Sequence, residues 1–171
     1  MSLCSVRDAT LADADALTEL INHIILIGGT TAHLSLFDAE KMRHHYIKPN
    51  LGIFCLIAES EGHVVGFQSL EWSDPDWTGE GWRPSDWAFI ASFVASECHG
   101  KGLGKVLFQR TKERAISAGV SNIDATIRAD NESGLRYYTS LGFTDYARTI
   151  ASPLSDGTLV DRIHKKICLL P

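Results

Sequence analysis

The chain has 171 residues, 44% of them hydrophobic and 22% charged, with 21 acids against 16 bases and a formal net charge of −5. That length suits one domain spanning 1–171. The acidic balance argues against nucleic-acid or membrane-surface binding, which favour basic patches, and no apolar run reaches the 18 or so residues that cross a bilayer.

Met1-Ser2-Leu3-Cys4 lacks a signal-peptide pattern. Cys4, Cys55, Cys98 and Cys168 are scattered without metal-ligand spacing. The expectation is a cytoplasmic protein with reduced cysteines and no metal. Cys4–Thr10 reads as a short strand. Asp13 or Asp15 starts a helix through Leu17, Leu20, Ile21 and Ile24, ended by Gly28-Gly29. Thr30–Leu36 reads as irregular. Asp38 caps a second helix carrying Met42 and Tyr46, which stops before Pro49. Ile53–Glu59 and His63–Trp72 read as strands joined by a hairpin at Glu61-Gly62.

Ser73–Asp86 carries Pro75, Gly79, Gly81 and Pro84 and reads as a long loop. An apolar strand over 88–94 leads into a glycine-rich segment. The next helix sets Leu103, Val106, Leu107, Thr111 and Ala118 on its core side, with Lys105, Gln109 and Lys112 opposite. Asn122–Ile127 is a strand. Asn131–Leu141 is a helix closed by Gly142. Thr144–Pro153 and Leu159–Leu170 form a last pair of strands joined through Asp156-Gly157. The order β-α-α-β-β-β-α-β-α-β-β predicts an α/β domain around a mixed, mostly antiparallel sheet with helices on both faces; a repeated βαβ series would have implied a parallel one.

The strongest local signal is His99-Gly100-Lys101-Gly102-Leu103-Gly104-Lys105, which joins a strand to a helix N-terminus. Free N–H groups and the positive end of the helix dipole make such a junction an anion site. A Walker loop would need a glycine at His99 and a hydroxyl at Val106; the dinucleotide fingerprint would need a glycine at Lys105. Both fail. The pattern instead resembles the Arg/Gln-x-x-Gly-x-Gly/Ala segment of the GNAT superfamily of acyl-CoA-dependent N-acetyltransferases, with His99 in place of Arg or Gln. A Cβ at Gly102 or Gly104 is expected to hold a pyrophosphate off the loop.

A second segment, Asn131-Glu132-Ser133-Gly134-Leu135-Arg136-Tyr137-Tyr138-Thr139-Ser140-Leu141-Gly142-Phe143, resembles the superfamily's Asn-x-x-Ser/Ala-x-x-x-Tyr-x-x-x-Gly-Phe. By itself it also reads as an N-cap and a core aromatic. Together the two segments identify a single-domain GNAT fold, and the early stretch from Ile21 to Ala32 is similar to the phosphinothricin-acetyltransferase-like branch. The resemblance implies acetyl-CoA as donor, a small-molecule amine as acceptor and no metal. It implies that Ser92, Phe93 and Val94 pair with the pantetheine arm where the sheet splays. His99, Gly100, Lys101, Gly102, Leu103, Gly104 and Lys105 would cradle the pyrophosphate, with the backbone of His99 mattering more than its ring. Asn131 and Ser133 would hold the CoA arm, and Tyr138 would supply a proton to the leaving sulfur, a phenol being protonated at neutral pH. Tyr137, about 100° around the helix, reads as structural.

Acetyl transfer also needs a neutral amine, and the strand stretch Phe89-Ile90-Ala91-Ser92 lacks the glutamate that related enzymes often carry there. Glu71, Asp86, His33 or a water remain as bases. Trp72, Trp77, Trp82 and Trp87 recur about the long loop and are candidates for an acceptor wall, a subunit interface or a satellite core. The apolar last strand and the Trp loop suggest a homodimer. The competing functions are a CoA-binding regulatory module without turnover, a protein or peptide N-acetyltransferase, and a binder of another nucleotide phosphate.

Overall fold

In the computed structural model, which describes residues 4–170, one seven-stranded sheet runs in the order β1-β2-β3-β4-β5-β7-β6. Its strands are β1 (Cys4–Asp8), β2 (Gly52–Ser60), β3 (His63–Trp72), β4 (Trp87–Val94), β5 (Asn122–Arg128), β6 (Thr144–Pro153) and β7 (Leu159–Cys168). All neighbours are antiparallel except β4 and β5. The helices are α1 (Ala14–Ile27), α2 (Ala39–Met42), α3 (Leu103–Ala118) and α4 (Glu132–Ser140). This is the expected mixed α/β architecture.

Local chemistry accounts for most boundaries. β1 stops at Asp8, two residues earlier than its composition suggests. Thr10 donates through its backbone N–H and its hydroxyl to Asp13, which starts the chain into α1 through a 3₁₀ turn. Asp38 caps α2 by accepting from Lys41 N at 2.7 Å. That helix holds only one α turn before a π turn over Arg43–Ile47, which still buries Met42 and Tyr46. Glu61 and Gly62 both take positive φ, as a two-residue hairpin between Ser60 and His63 requires.

Strand alternation divides the core. Cys55, Ile57, Phe67, Ala91 and Phe93 pack on one face against α1 and the α2 region. Leu70, Ala88, Ile90, Ile123, Ala125 and Ile127 face the other way, against Phe108 and Ala115 of α3 and Tyr138 of α4. The buried stripe of α3 is Leu103, Leu107, Phe108, Thr111 and Ala115. Val106 and Ala118, assigned to the core side from the sequence, are exposed, because α3 is rotated to bring Phe108 onto Phe143.

Candidate functional site

The site starts from a fault in the sheet. β4 and β5 pair only through Trp87↔Asn122, Ala88↔Ile123 and Phe89↔Asp124. From Ile90 to Val94, β4 is paired with β3 alone, and from Ala125 to Arg128, β5 is paired with β7 alone. The facing edges therefore carry backbone donors and acceptors with no ladder partner, which an extended ligand can use. Ser92, Phe93 and Val94 all lie on this open edge. The His99 ring folds back to the strand end, where Nε2 donates to Val94 O at 3.0 Å.

At the open end the chain makes a 3₁₀ turn over Ser96–Cys98 and then rises into α3. Gly100 and Gly102 sit at φ 72° and 81°, the left-handed region, with open space around a built Cβ. Gly102 is the N-cap, and the first turn of α3 contains no acid. The N–H groups of Leu103 and Gly104 are available to an anion, whereas those of Lys105 and Val106 already donate to Gly102 O at 3.0 and 3.2 Å. Lys101 and Lys105 are exposed beside them. Gly104 departs from expectation. A Cβ there would lie 2.6 Å from Cε2 of Tyr137, and the Tyr137 hydroxyl donates to Gly104 O at 2.8 Å. This glycine lets α4 approach α3.

Two adjacent tyrosines take different tasks. Tyr137 accepts from Gln68 Nε2 at 2.8 Å, and Thr111 donates to Gln68 Oε1 at 2.7 Å. It is a structural link between α4, β3 and α3. Tyr138 is buried, with its hydroxyl 2.8 Å from Ser92 Oγ on the open stretch of β4. Burial pushes its pKa up to about 12, partly offset by the Ser92 hydrogen bond. Asn131 caps α4 by accepting from Gly134 N at 2.9 Å and from Ser133 Oγ at 3.0 Å. Its Nδ2 donates to Thr30 O at 2.9 Å, and Arg128 donates to Thr31 O at 3.1 Å. These two bonds tie the α1–α2 loop to the β5–α4 junction, beside the splay.

Alternation puts Glu71, Phe89, Ala91 and Phe93 on the α1 face, and Glu71 lies directly across from Phe89, where pairing to β5 ends. Glu71 is half-buried, and burial raises its carboxyl above the usual range. His33 stands in the loop above, with Nε2 2.6 Å from Tyr46 Oη; burial, then nearby His45 and Lys41, lower its pKa to about 4. Asp86 is exposed and precedes the paired end of β4, away from the splay. The four tryptophans do not share a wall. Trp72 packs on the α3–α4 face, Trp77 and Trp82 are 53% and 52% exposed, and Trp87 alone joins the α1 face, edge-on to Tyr146.

Sequence patterns missed a polar network beneath this face. Asp124 is buried and accepts from Tyr146 Oη, from Thr126 Oγ1 at 2.8 Å and from Arg83 Nε at 3.4 Å. Arg83 Nη2 reaches His164 Nδ1 at 3.2 Å, so Nε2 of that ring is left to donate to Thr149 at 2.8 Å. Burial lowers the His164 pKa. The network fastens the long loop to β5, β6 and β7. An acid inside the apolar run Ile123-Asp124-Ala125 was its only linear signal.

A splayed parallel pair, a glycine turn opening onto a helix N-terminus and a buried tyrosine facing the gap define a protein that seats a phosphate-bearing extended ligand for group transfer. The model of the acetyltransferase (GNAT) family matches residues 19–143. L-methionine sulfoximine/L-methionine sulfone acetyltransferase of Salmonella typhimurium is 30% identical over 142 residues, covering 82% of this chain and 80% of that protein. Phosphinothricin N-acetyltransferase of Streptomyces viridochromogenes is 26% identical, covering 81% of this chain and 73% of that one. The fold also matches a phosphinothricin acetyltransferase of Sinorhizobium meliloti solved in complex with acetyl-CoA, at TM-score 0.80 and 23% identity, over 99% of this chain and 89% of that one. The chain belongs to the GNAT family and is an N-acetyltransferase, with acetyl-CoA as its donor.

Proposed function

We propose that this enzyme moves the acetyl group of acetyl-CoA directly to the primary amine of a small acceptor of amino-acid type. The observation that carries this reading is the β4–β5 splay, with the Ser92–Tyr138 hydroxyl pair at its side and the left-handed Gly100–Gly102 turn at its mouth. L-methionine sulfoximine and phosphinothricin, in the names of the two relatives, are both α-amino acids, which supports the acceptor class.

In this reading the pantetheine arm pairs with the open edge at Ser92, Phe93 and Val94. The pyrophosphate rests on the N–H groups from Gly100 to Gly104, and Lys105, whose own N–H donates to Gly102 O, joins Lys101 in adding side-chain charge. Glu71 takes the amine's proton, directly or through one water; burial raises its carboxyl above the usual range, which makes it a stronger base than an exposed carboxylate. The neutral amine then attacks the thioester carbonyl, and a backbone N–H near Phe93 or Val94 stabilises the developing oxyanion. The C–S bond breaks, the Tyr138 hydroxyl donates to the departing sulfur, and the proton shed by the newly acylated nitrogen returns through solvent to restore the phenol. Glu71 answers the missing β4 carboxylate from the neighbouring strand, which weakens the case for a CoA-binding module without turnover.

The same reading includes a homodimer, supported by exposed Leu26, Ile27, Ile150 and Leu159, and a reducing, cytoplasmic location, supported by four free cysteines. No described helix is long and apolar enough to cross a membrane. The deciding experiment follows thiol release from acetyl-CoA with L-amino acids, simple amines and short peptides. Fastest release with free amino acids is expected. A preference for peptides, or no release with any amine, overturns the proposal.

A further inference from the structure

Among the described residues, Arg162 is the one arginine whose guanidinium makes neither a hydrogen bond nor an ion pair. Arg7, Arg83, Arg110, Arg114, Arg128, Arg136 and Arg148 each meet a carboxylate, and Arg43 donates to Leu11 O. Arg162 is half-buried, and its Nε is fully buried without a partner. Such a group has lost water and gained nothing in exchange, and buried donors are satisfied in nearly all native structures.

Its position gives that cation a purpose. Arg162 lies across from Arg128 on β5 and shares a face of β7 with His164. That is the α1 face, since Arg128 reaches Thr31 and His164 reaches Arg83. Continuing the β4–β5 register past Phe89↔Asp124 sets Arg128 level with Phe93, on the open stretch of β4. Two like charges across from each other are unfavourable. Arg128 is neutralised by Asp130, and the neighbouring Asp161 is taken by Arg148. The other groups facing Arg162 supply no counter-charge: Asp124 is held by Arg83 and Tyr146, and the lowered pKa of His164 keeps its ring neutral at pH 7. Lys166 sits at the paired end, over the rings of Trp87 and Tyr146.

We infer that Arg162 receives a carboxylate of the acceptor and sets the enzyme's preference for amines that carry one. The inference rests on the acetyl-transfer reading above. A guanidinium fork binds a carboxylate through two parallel hydrogen bonds. β7 lies two strand positions from β4, about 10 Å at ordinary spacing and more at this level, where β4 and β5 have parted. An arginine arm and an α-amino acid placed end to end cover that span, so the amine lies at the splay when the carboxylate meets Arg162.

The test compares L-methionine sulfone with its carboxamide, using wild type, Arg162→Leu and Arg162→Lys. Thiol release gives KM and kcat for each. Calorimetry gives binding of L-methionine sulfone to the CoA-loaded protein. Wild type should prefer the acid over the amide; Arg162→Leu should raise KM for the acid about 10- to 100-fold and erase the preference. Arg162→Lys keeps the charge without the fork and should fall between, with an unchanged melting temperature. Equal use of acid and amide by wild type, or an equal loss for both in Arg162→Leu, overturns the inference and leaves acetyl transfer standing. If wild type releases thiol with no amine, the acetyl-transfer reading fails. The calorimetry then decides the inference, and unchanged binding in Arg162→Leu overturns it.

Discussion

Tyr138 and Glu71 carry the chemistry proposed here, and their environments separate them. The phenol, pushed up to about 12, stays protonated throughout the working pH range. The carboxyl of Glu71 is raised by burial and must lose its proton before it can serve as a base. Tyr138→Phe should therefore lower kcat about 10²-fold or more with KM for acetyl-CoA nearly unchanged; equal turnover would remove this hydroxyl from the mechanism. The acid limb of the kcat/KM profile belongs to Glu71, so activity rises with pH through its raised pKa. Glu71→Gln should flatten that limb, and an unaltered limb would move the base to His33 or water. Gly104 shows how a residue can match a motif for another reason. Gly104→Ala should cost about 1–3 kcal/mol through overpacking against Tyr137. In a Tyr137→Leu background the same change should cost much less by denaturant unfolding, since the crowded ring is gone.

At the scale of elements, the α1–α2 loop matters because it is tied to the donor side of the site. Asn131 serves as α4 cap through Oδ1 and as loop tether through Nδ2. Asn131→Asp keeps the cap acceptor and loses the tether donor, whereas Asn131→Ala loses both, at about 1 kcal/mol for the cap. Both variants should raise KM for the amine, and only the alanine should lower the melting temperature clearly. A larger effect of Asn131→Asp on KM for acetyl-CoA would assign the side chain to the CoA arm.

Across the whole molecule, acid sensitivity reads out two joints of the fold. Arg7 holds the Asp13 carboxyl down to about 2 where β1 turns into α1, and burial holds His33 down to about 4 beneath the α1–α2 loop. For Asp13 the folded pKa is lowered, so its stabilisation is present above the ordinary value of 3.8 and is lost as pH falls toward 2. Arg7 is 41% exposed, so solvent screening limits this to about 1 kcal/mol. His33 is neutral in the fold; below its ordinary 6.5 the unfolded chain binds the proton first, and stability falls as pH drops toward 4. Unfolding free energy should decline in two stages on acidification. His33→Gln should remove the stage between pH 6.5 and 4 and keep the lower one.

The chain's local signals were enough to place every strand and helix, because caps, glycines and hydrophobic periods act over a few residues. Asp38 marks a helix start through its side-chain cap, Gly62 and Gly142 mark turns by backbone geometry, and the segments 99–105 and 131–143 carried the family and the donor. What depends on packing was not legible. The rotation of α3 that exposes Val106 and the scattering of the four tryptophans followed from neighbours distant in sequence. So did the close contact at Gly104, set by a ring from α4, and the placing of the unpartnered Arg162 across from an arginine on the adjacent strand. Sequence determined which elements form and which donor they are built to hold, since those follow from near neighbours along the chain. Only the tertiary structure decided that Glu71, Arg128 and Arg162 share one face beside the splay, because a side chain's partners across a sheet are fixed by strand register.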